Sequence, residues 1–313
     1  MTIFAMVFPG QGSHTIGMLA ELAAHHALVK ATFAETSAIL DYDLWQLVQQ
    51  GPTKELNKTC RTQPAILTSS VAIWRVWQQQ GGQMPKLMAG HSLGEYSALV
   101  CSGALDFATA IKLVILRSTI MQKTVPTGIG AMCAIIGLDN DSIAEACAQA
   151  AQGQIVSPVN FNSPGQVVIA GHKEAVERAG IVCKKAGAKR ALPLPISVPA
   201  HCVLMKPAAE KLAKTLESIT FCVPRIPVVN NVDVRATQDP TSIRLALVRQ
   251  LYNPVRWTET VEYLAAQDVK LLLEIGPGKV LTRLTKRIVQ NLSSAAVNDP
   301  ASLAAMIKHE YWG

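Results

Sequence analysis

Ser92 lies in a pattern of small residues that could make its hydroxyl a nucleophile. The segment reads Gly90-His91-Ser92-Leu93-Gly94 and fits Gly-x-Ser-x-Gly, in which a sharp turn between a strand and a helix exposes the serine. Residues 86–89 are predicted to form a short buried strand, and residues 94–101 a helix with an apolar face. The chemistry predicted is attack of a serine hydroxyl on a carbonyl carbon. The alternative is a turn whose serine only caps the helix.

A serine nucleophile needs a base, and seven histidines are available. His201 is favoured because it follows Pro199-Ala200 on a loop, where a rigid scaffold commonly places such groups. His91 adjoins Ser92, but on a sharp turn its side chain should point elsewhere. His25 and His26 are expected to be solvated.

The group that orients the base is less evident from the sequence. His172 is expected to be a surface residue at a helix start. Asp106, Asp139 and Asp141 all suit helix N-termini rather than loops at strand ends. Either the orienting residue lies late in the chain, or a main-chain carbonyl takes that role by accepting a hydrogen bond from the imidazole.

Two further segments could contribute to a site. The loop Pro9-Gly10-Gln11-Gly12-Ser13 follows the first predicted strand, residues 3–8. It lacks both glycine-rich phosphate-binding patterns, so donation of backbone N–H groups to an oxyanion is the better interpretation. Arg117 is predicted near the end of a helix over residues 106–121. There it could complement the helix C-terminus or form a surface salt bridge.

The elements around these residues alternate between strands and helices. Further strands are predicted at 226–230 and 271–275, and one long helix is predicted after Gly276-Pro277-Gly278. A helix starting at Thr62-Gln63-Pro64-Ala65 would carry Pro64 in its first turn. This alternation predicts a parallel sheet with helices on both faces.

The segment between Pro126 and Pro199 has a different pattern. Strands are predicted at 131–138, 156–160, 166–170 and 190–198, with helices at 142–152 and 173–186. The order βαββαβ is that of a ferredoxin-like unit. We therefore predict an α/β protein with an α/β-hydrolase-like core from residues 1–125 and 199–313, and an inserted ferredoxin-like subdomain from residues 126–198.

Composition limits the class of protein. Apolar residues make up 49% of the 313 residues, and the formal net charge is +7. The basic residues are scattered along the sequence, so a groove that binds nucleic acid is not expected. An acidic protein partner is compatible with such a positive surface. The seven cysteines show no metal-ligand spacing and are expected to be free, buried thiols. With no signal-like start and no long apolar run, the protein is expected to be cytoplasmic, without membrane, metal or cofactor.

Motifs along nearly the whole chain resemble the bacterial malonyl-CoA:acyl carrier protein transacylases, acyltransferases of fatty-acid synthesis. The matching segments include Phe8-Pro9-Gly10-Gln11-Gly12-Ser13, residues 62–65, 90–96 and 116–117, Asn160-Phe161-Asn162-Ser163-Pro164-Gly165, Pro199-Ala200-His201, Tyr252-Asn253-Pro254-Val255 and residues 274–278. His14 and Ala200 depart from residues usual in these enzymes, which bear Gln and often Ser there.

The resemblance implies a role for each matching residue. Ser92 would be the nucleophile and His201 the base, with the main-chain carbonyl of Gln250 orienting the imidazole. The N–H groups of Gln11 and Leu93 would form the oxyanion hole. The substrate residues would be Arg117, on the malonyl carboxylate, and Gln63, beside the acyl pocket. Malonyl-CoA and an acidic acyl carrier protein would be the partners.

Two other classes remain open from the residues alone. An esterase or thioesterase could use the same serine turn, but it would need no arginine in the acyl pocket. A non-catalytic module that binds a carrier protein would have no need for Ser92, His201 and Arg117.

Overall fold

The computed structural model describes residues 2–196 and 198–308. Ser197, which falls in the predicted strand 190–198, and His309 lie outside the described residues. Ten strands are present in the part described: β1 (Phe4–Phe8), β2 (Leu87–Gly90), β3 (Gly130–Ile136), β4 (Val156–Ser163), β5 (Gln166–His172), β6 (Arg190–Pro193), β7 (Val228–Val229), β8 (Ala236–Thr237), β9 (Leu271–Ile275) and β10 (Ser293–Val297).

The described residues also form α-helices that cover the strands, and a 3₁₀ turn at Val203–Met205. The helices are α1 (Ala20–His25), α2 (Ala27–Ser37), α3 (Leu44–Gln50), α4 (Thr53–Leu56), α5 (Thr59–Gln79), α6 (Gly94–Cys101), α7 (Phe107–Thr124), α8 (Asn140–Ala151), α9 (Lys173–Lys185), α10 (Lys206–Glu217), α11 (Pro240–Gln250), α12 (Trp257–Ala266), α13 (Val280–Ile288) and α14 (Pro300–Ile307). Within residues 2–196 and 198–308, every helix is too short or too polar to cross a bilayer.

The larger sheet has six strands in the order β10-β9-β1-β2-β7-β8. All neighbours are parallel except β7 and β8, which pair antiparallel. Strands β1 and β2 are buried throughout, as expected for the centre of a sheet covered on both faces. Their register sets Phe8 opposite Gly90. The loops that follow β1 and β2 therefore emerge side by side at the carboxyl edge of the sheet, where α/β folds commonly bind ligands.

The smaller sheet is antiparallel, with the order β4-β5-β3-β6, and α8 and α9 pack on it. Its own apolar core contains Ile135, Ile143, Val167 and Ala179. Strand β6 ends at Pro193, so the strand predicted over 190–198 is shorter than expected. The chain is thus an α/β protein with a mostly parallel sheet and a separate antiparallel sheet.

The prediction of one long helix after Gly278 is wrong. Helix α13 ends at Ile288 and is followed by β10 and α14. Strand β10 reads Ser-Ser-Ala-Ala-Val, and only its last residue is β-branched. Pairing with β9 at the sheet edge stabilises this strand, and weak local preference alone does not predict it.

Helix α5 passes through the core beneath the larger sheet. It begins at Thr59, so Pro64 lies in its second turn and not in its first. Fifteen of its residues are buried, from Thr62 to Trp77, because α2 and α7 pack against it as well as the sheet. Tertiary packing therefore offsets the backbone hydrogen bond that Pro64 cannot donate.

Candidate active site

Ser92 stands on a strained turn between β2 and α6. Its φ of 52° is left-handed, a conformation that non-glycine residues adopt rarely and mostly at functional sites. A Cβ at position 90 would lie 1.9 Å from the Gly94 carbonyl carbon, and one at position 94 would lie 2.0 Å from the Phe8 oxygen. Both glycines are needed because the turn packs against its own helix and against β1.

Ser92 and His201 are in hydrogen-bond contact. The Ser92 Oγ is 2.8 Å from His201 Nε2, and His201 Nδ1 is 2.7 Å from the main-chain oxygen of Gln250. Because a carbonyl can only accept, Nδ1 carries the proton in this arrangement. Nε2 of a neutral imidazole is then unprotonated and can accept the proton of the serine hydroxyl.

The surroundings of His201 favour the neutral imidazole. Burial, and to a smaller extent the Arg117 cation, lower the pKa of His201 to about 3. His201 has a φ of 66°, and its N–H donates to the Leu251 oxygen over 2.9 Å. The backbone of the loop is thereby fixed close to the end of α11, which bears Gln250.

Arg117 lies beside the serine and not at a helix end. It is in the body of α7, it is 2% exposed, and its Nη2 donates to Ser92 Oγ at 3.4 Å and to Gln250 Oε1 at 3.1 Å. Its guanidinium lies over the ring of Tyr96, 5.5 Å from the centroid. Neither the helix-end interpretation nor the surface salt bridge fits this position. A buried arginine here can bind an anion close to Ser92.

The remaining predicted residues line the same cavity, which has a volume of about 290 Å³. Gln11, Gln63, Leu93 and Ala200 all contribute to its wall. The main-chain N–H groups of Gln11 and Leu93 form no hydrogen bond with another described residue. Two such donors beside a serine are the groups that an oxyanion hole requires. A wider groove of about 960 Å³ along α9 and β6 contains none of the predicted site residues.

Sequence reasoning did not identify the buried polar network beneath the serine. Asn231 follows β7, which pairs with β2, and its Oδ1 accepts the Ser92 N–H at 2.7 Å. Its Nδ2 donates to the Gly90 oxygen at 2.6 Å, so one side chain binds the backbone on both sides of His91. The Asn231 N–H in turn donates to Glu95 Oε2 at 3.0 Å. The position of Asn231 just after a predicted strand was the available signal.

His91 points away from Ser92, as expected for a sharp turn. Its Nε2 is 2.8 Å from Oδ1 of Asn162, on β4 of the smaller sheet, and its ring packs against Trp257. His25 is exposed and His26 is partly exposed, and the ring of His172 accepts the Ile155 N–H at 2.9 Å.

The aspartate predictions and part of the cysteine prediction are confirmed. Asp106 and Asp139 cap α7 and α8 through their side chains. The seven cysteines are free and five are buried, but Cys60 and Cys222 are exposed, so the prediction of buried thiols is wrong for these two. Among residues 2–196 and 198–308, no three His, Cys, Asp or Glu side chains converge as metal ligands.

Comparison with known proteins gives one consistent result. The model of the acyl transferase domain family matches residues 5–310. Malonyl CoA-acyl carrier protein transacylases from Salmonella typhimurium and Escherichia coli K12 are each 68% identical, over 98% of this chain and 99% and 100% of theirs. A malonyl-transacylase solved in complex with a type II PKS acyl carrier protein is 69% identical, with a TM-score of 0.98, covering 99% of this chain and all of its own. An acyl carrier protein S-malonyltransferase from Vibrio cholerae has a TM-score of 0.94 at 67% identity, covering 97% of this chain and 99% of its own.

Proposed function

The chain belongs to the acyl transferase family, and we propose that it transfers the malonyl group of malonyl-CoA to the phosphopantetheine thiol of an acyl carrier protein through a malonyl-serine intermediate. The observation that carries the mechanism is the contact of Ser92 Oγ with both His201 Nε2 and Arg117 Nη2 in one cavity. The arrangement combines a nucleophile, a base and a cation that can bind the free carboxylate of the acyl group.

The first half-reaction loads the enzyme. Ser92 Oγ attacks the thioester carbon while its proton passes to His201 Nε2. The N–H groups of Gln11 and Leu93 stabilise the tetrahedral oxyanion because they are already oriented and need not reorganise. The carbon–sulfur bond then breaks, and the leaving thiolate of CoA takes the proton from His201. The product is a malonyl ester on Ser92.

The second half-reaction repeats these steps with the carrier protein's thiol as the attacking group. His201 accepts the thiol proton, the thiolate attacks the ester carbon, and Ser92 regains its proton as the carbon–oxygen bond breaks. CoA leaves while the malonyl group is held on Ser92, before the carrier protein's thiol attacks, so the reaction is a ping-pong transfer. The buried carbonyl of Gln250 keeps the base in one tautomer through both halves.

Arg117 supplies the acyl selectivity in this proposal. Its planar guanidinium can bind a carboxylate through two parallel hydrogen bonds. Gln63 is 2% exposed, and its Oε1 has no hydrogen-bond donor among the described residues, so it is available to the acyl group. An esterase has no use for a buried cation at this position, and this favours the transferase over the hydrolase.

We also propose that the chain is divided into two structural units. Residues 1–125 and 199–313 would form the α/β-hydrolase-like catalytic core, and residues 126–198 an inserted ferredoxin-like subdomain. The βαββαβ succession and the antiparallel order β4-β5-β3-β6 support this assignment. The cavity at Ser92 has walls from both units, including Leu93 from the core and Val168 from the insertion.

Intact mass spectrometry tests the proposal directly. Wild-type protein incubated with malonyl-CoA should gain one malonyl group and lose it when holo carrier protein is added. Ser92→Ala should gain none, whereas Ser102→Ala, which removes a buried hydroxyl of another loop, should still be loaded. A stable malonyl adduct on Ser92→Ala would assign the nucleophile elsewhere, and loss of the adduct to water without carrier protein would indicate a hydrolase.

A further inference from the structure

Arg117 is a buried cation without a carboxylate partner. None of the ion pairs between described residues includes it, and its Nε has no hydrogen-bond acceptor among them. An unpaired buried charge is costly, so some feature of the site must both tolerate the guanidinium and leave it free.

Glu95 is the buried acidic residue of the site that could pair with Arg117, but the two side chains form no ion pair. It is 2% exposed, on the first turn of α6. Its Oε2 accepts hydrogen bonds from Gln250 Nε2 at 2.9 Å and from the Asn231 N–H at 3.0 Å. These two donors fix the carboxyl group below the serine turn, where its ionised form reduces the cost of burying the Arg117 charge from a distance.

The Gln250 side chain lies between the two charged groups. Its Nε2 donates to Glu95 and to the Ser92 oxygen, at 2.9 Å and 3.1 Å, and its Oε1 accepts from Arg117 Nη2 at 3.1 Å. An amide has one donating and one accepting end, so it satisfies the carboxylate and the guanidinium together. In the reverse orientation the amide NH2 would face the guanidinium, which is also a donor, and the amide oxygen would face the carboxylate, which is also an acceptor. The two charged groups therefore fix the orientation of the amide.

We propose that the side chain of Gln250 is a positioning residue that sets acyl specificity, by holding the Glu95 carboxylate away from Arg117 so that the guanidinium remains unpaired for the substrate. This inference rests on the proposed function and adds a second role to Gln250, whose main-chain oxygen orients His201. A direct ion pair with Glu95 would occupy the guanidinium through charge-assisted hydrogen bonds, and the malonyl carboxylate would have to displace it. The amide uses only one of the five donors of Arg117.

Replacement of the amide by a carboxylate of the same shape is the sharpest test. Gln250→Glu leaves the main-chain carbonyl in place and sets an acidic oxygen against Arg117. We expect kcat/KM for malonyl-enzyme formation to fall by at least ~10²-fold, because the substrate must break an existing buried pair. For acetyl-CoA, which has no carboxylate to place, the loss should be at least about tenfold smaller, so that the ratio of the two kcat/KM values falls.

A second variant covers the case in which Gln250→Glu does not fold. Gln250→Met keeps the length of the side chain and removes its three hydrogen bonds, to Arg117, Glu95 and the Ser92 oxygen. It should lower malonyl loading by about tenfold or more, the effect of losing a hydrogen bond to a charged group, and lower acetyl loading less. Gln78→Glu makes the same chemical change on the exposed side of α5 and should match wild type. Arg117→Ala gives the reference for complete loss of the contact.

The outcomes separate the inference from the proposed function. Equal losses for malonyl-CoA and acetyl-CoA in the folded variants would overturn the specificity role, because they would place the effect on Ser92 or His201. Unchanged malonyl loading in both variants would also overturn it. Absence of a malonyl adduct on wild-type protein would refute the proposed function, and the inference with it. Thermal unfolding of each variant tests whether a lower activity comes from a smaller amount of folded protein.

Discussion

Glu95 is a buried residue of the site whose ionisation should affect stability between about pH 4.5 and pH 7. Burial raises the pKa of its carboxyl group to about 7, from a value of 4.5, although the hydrogen bond from Gln250 acts in the opposite direction. Between these two pH values the native protein binds more protons than the unfolded chain. The free energy of unfolding therefore decreases as the pH rises through this window.

The corresponding prediction compares wild type with Glu95→Gln, which can still accept both hydrogen bonds through its amide oxygen. From roughly pH 4.5 to pH 8, wild type should lose about 3 kcal/mol of unfolding free energy relative to the variant, at 1.36 kcal/mol per pKa unit. Urea unfolding at several pH values measures this difference. Glu217→Gln, on an exposed position of α10, should run parallel to wild type. Parallel curves for Glu95→Gln as well would mean that Glu95 does not titrate in this window.

At the scale of residues, the sequence identifies residues that belong to a recognisable motif. It does not identify residues whose role comes only from where the fold buries them. Ser92 is identified by the glycines around it, and His201 by its proline-bracketed loop. Arg117 is misplaced by residue type alone, because an arginine on a helix is usually exposed. Glu95 carries no signal of its own, and Asn231 has only its position just after a predicted strand. Their importance comes from two strands, β2 and β7, that bring distant segments into contact.

At the scale of elements, the serine turn depends on how closely α6 approaches β1. A Cβ at position 94 would meet the oxygen and carbon of Phe8 at 2.0 Å and 2.7 Å, and the Pro9 oxygen at 2.9 Å. These are backbone atoms at the end of a central strand and the start of its loop, so they cannot move as a side chain would. The loop after β1, which carries Gln11, would have to shift with them.

Gly94→Ala should therefore impair both stability and catalysis. We expect a loss of about 1–3 kcal/mol or more in unfolding free energy, the usual range for overpacking, and slower malonyl loading of the protein that remains folded. Gly180→Ala in α9 is the matched control, since a Cβ there meets its nearest atom at 3.6 Å. Denaturant unfolding and loading kinetics provide the two measurements. A Gly94→Ala protein as stable and active as the control would show that the packing is looser than the distances indicate.

The elements themselves were predictable where local pattern and tertiary context agree. The βαββαβ succession and the central strands follow from apolar runs and turn residues. The two strands that were missed, β8 and β10, are short or weakly β-forming and lie at opposite edges of the larger sheet. Their existence depends on a neighbouring strand, and a single sequence does not state which strand is adjacent.

At the scale of the whole molecule, the cavity at Ser92 depends on contacts between the smaller sheet and the loops and helix α12 beside the larger one. Asn160 of β4 pairs with Val255, and the Thr258 hydroxyl donates to the Phe161 oxygen at 3.0 Å. Together with the His91–Asn162 hydrogen bond, these contacts fix the smaller sheet above the serine turn. The smaller sheet therefore forms part of the wall around Ser92. In the proposed mechanism, such a wall would help to keep water from the acyl-enzyme.

The positive charge of the molecule should affect only the second half-reaction strongly. The net charge is +7, and three exposed basic residues, Arg283, Lys286 and Arg287, lie on α13, whose inner side chains line the cavity. An acidic carrier protein, which the family resemblance implies, would be attracted to such a surface. Attraction between exposed charges is screened beyond ~10 Å at 0.1 M salt and beyond ~3 Å at 1 M.

Increasing salt should accordingly raise the KM for carrier protein by about tenfold, because the salt removes the electrostatic attraction that speeds association. Free pantetheine is the matched control, because it presents the same thiol without a protein, and its reaction with the malonyl-enzyme should change little. Malonyl-CoA carries phosphates and should show an intermediate response in the loading step. Steady-state kinetics at increasing sodium chloride separate the three substrates. If carrier protein and pantetheine responded equally, the salt would be acting on the cavity itself, and the basic surface would have no part in selecting the partner.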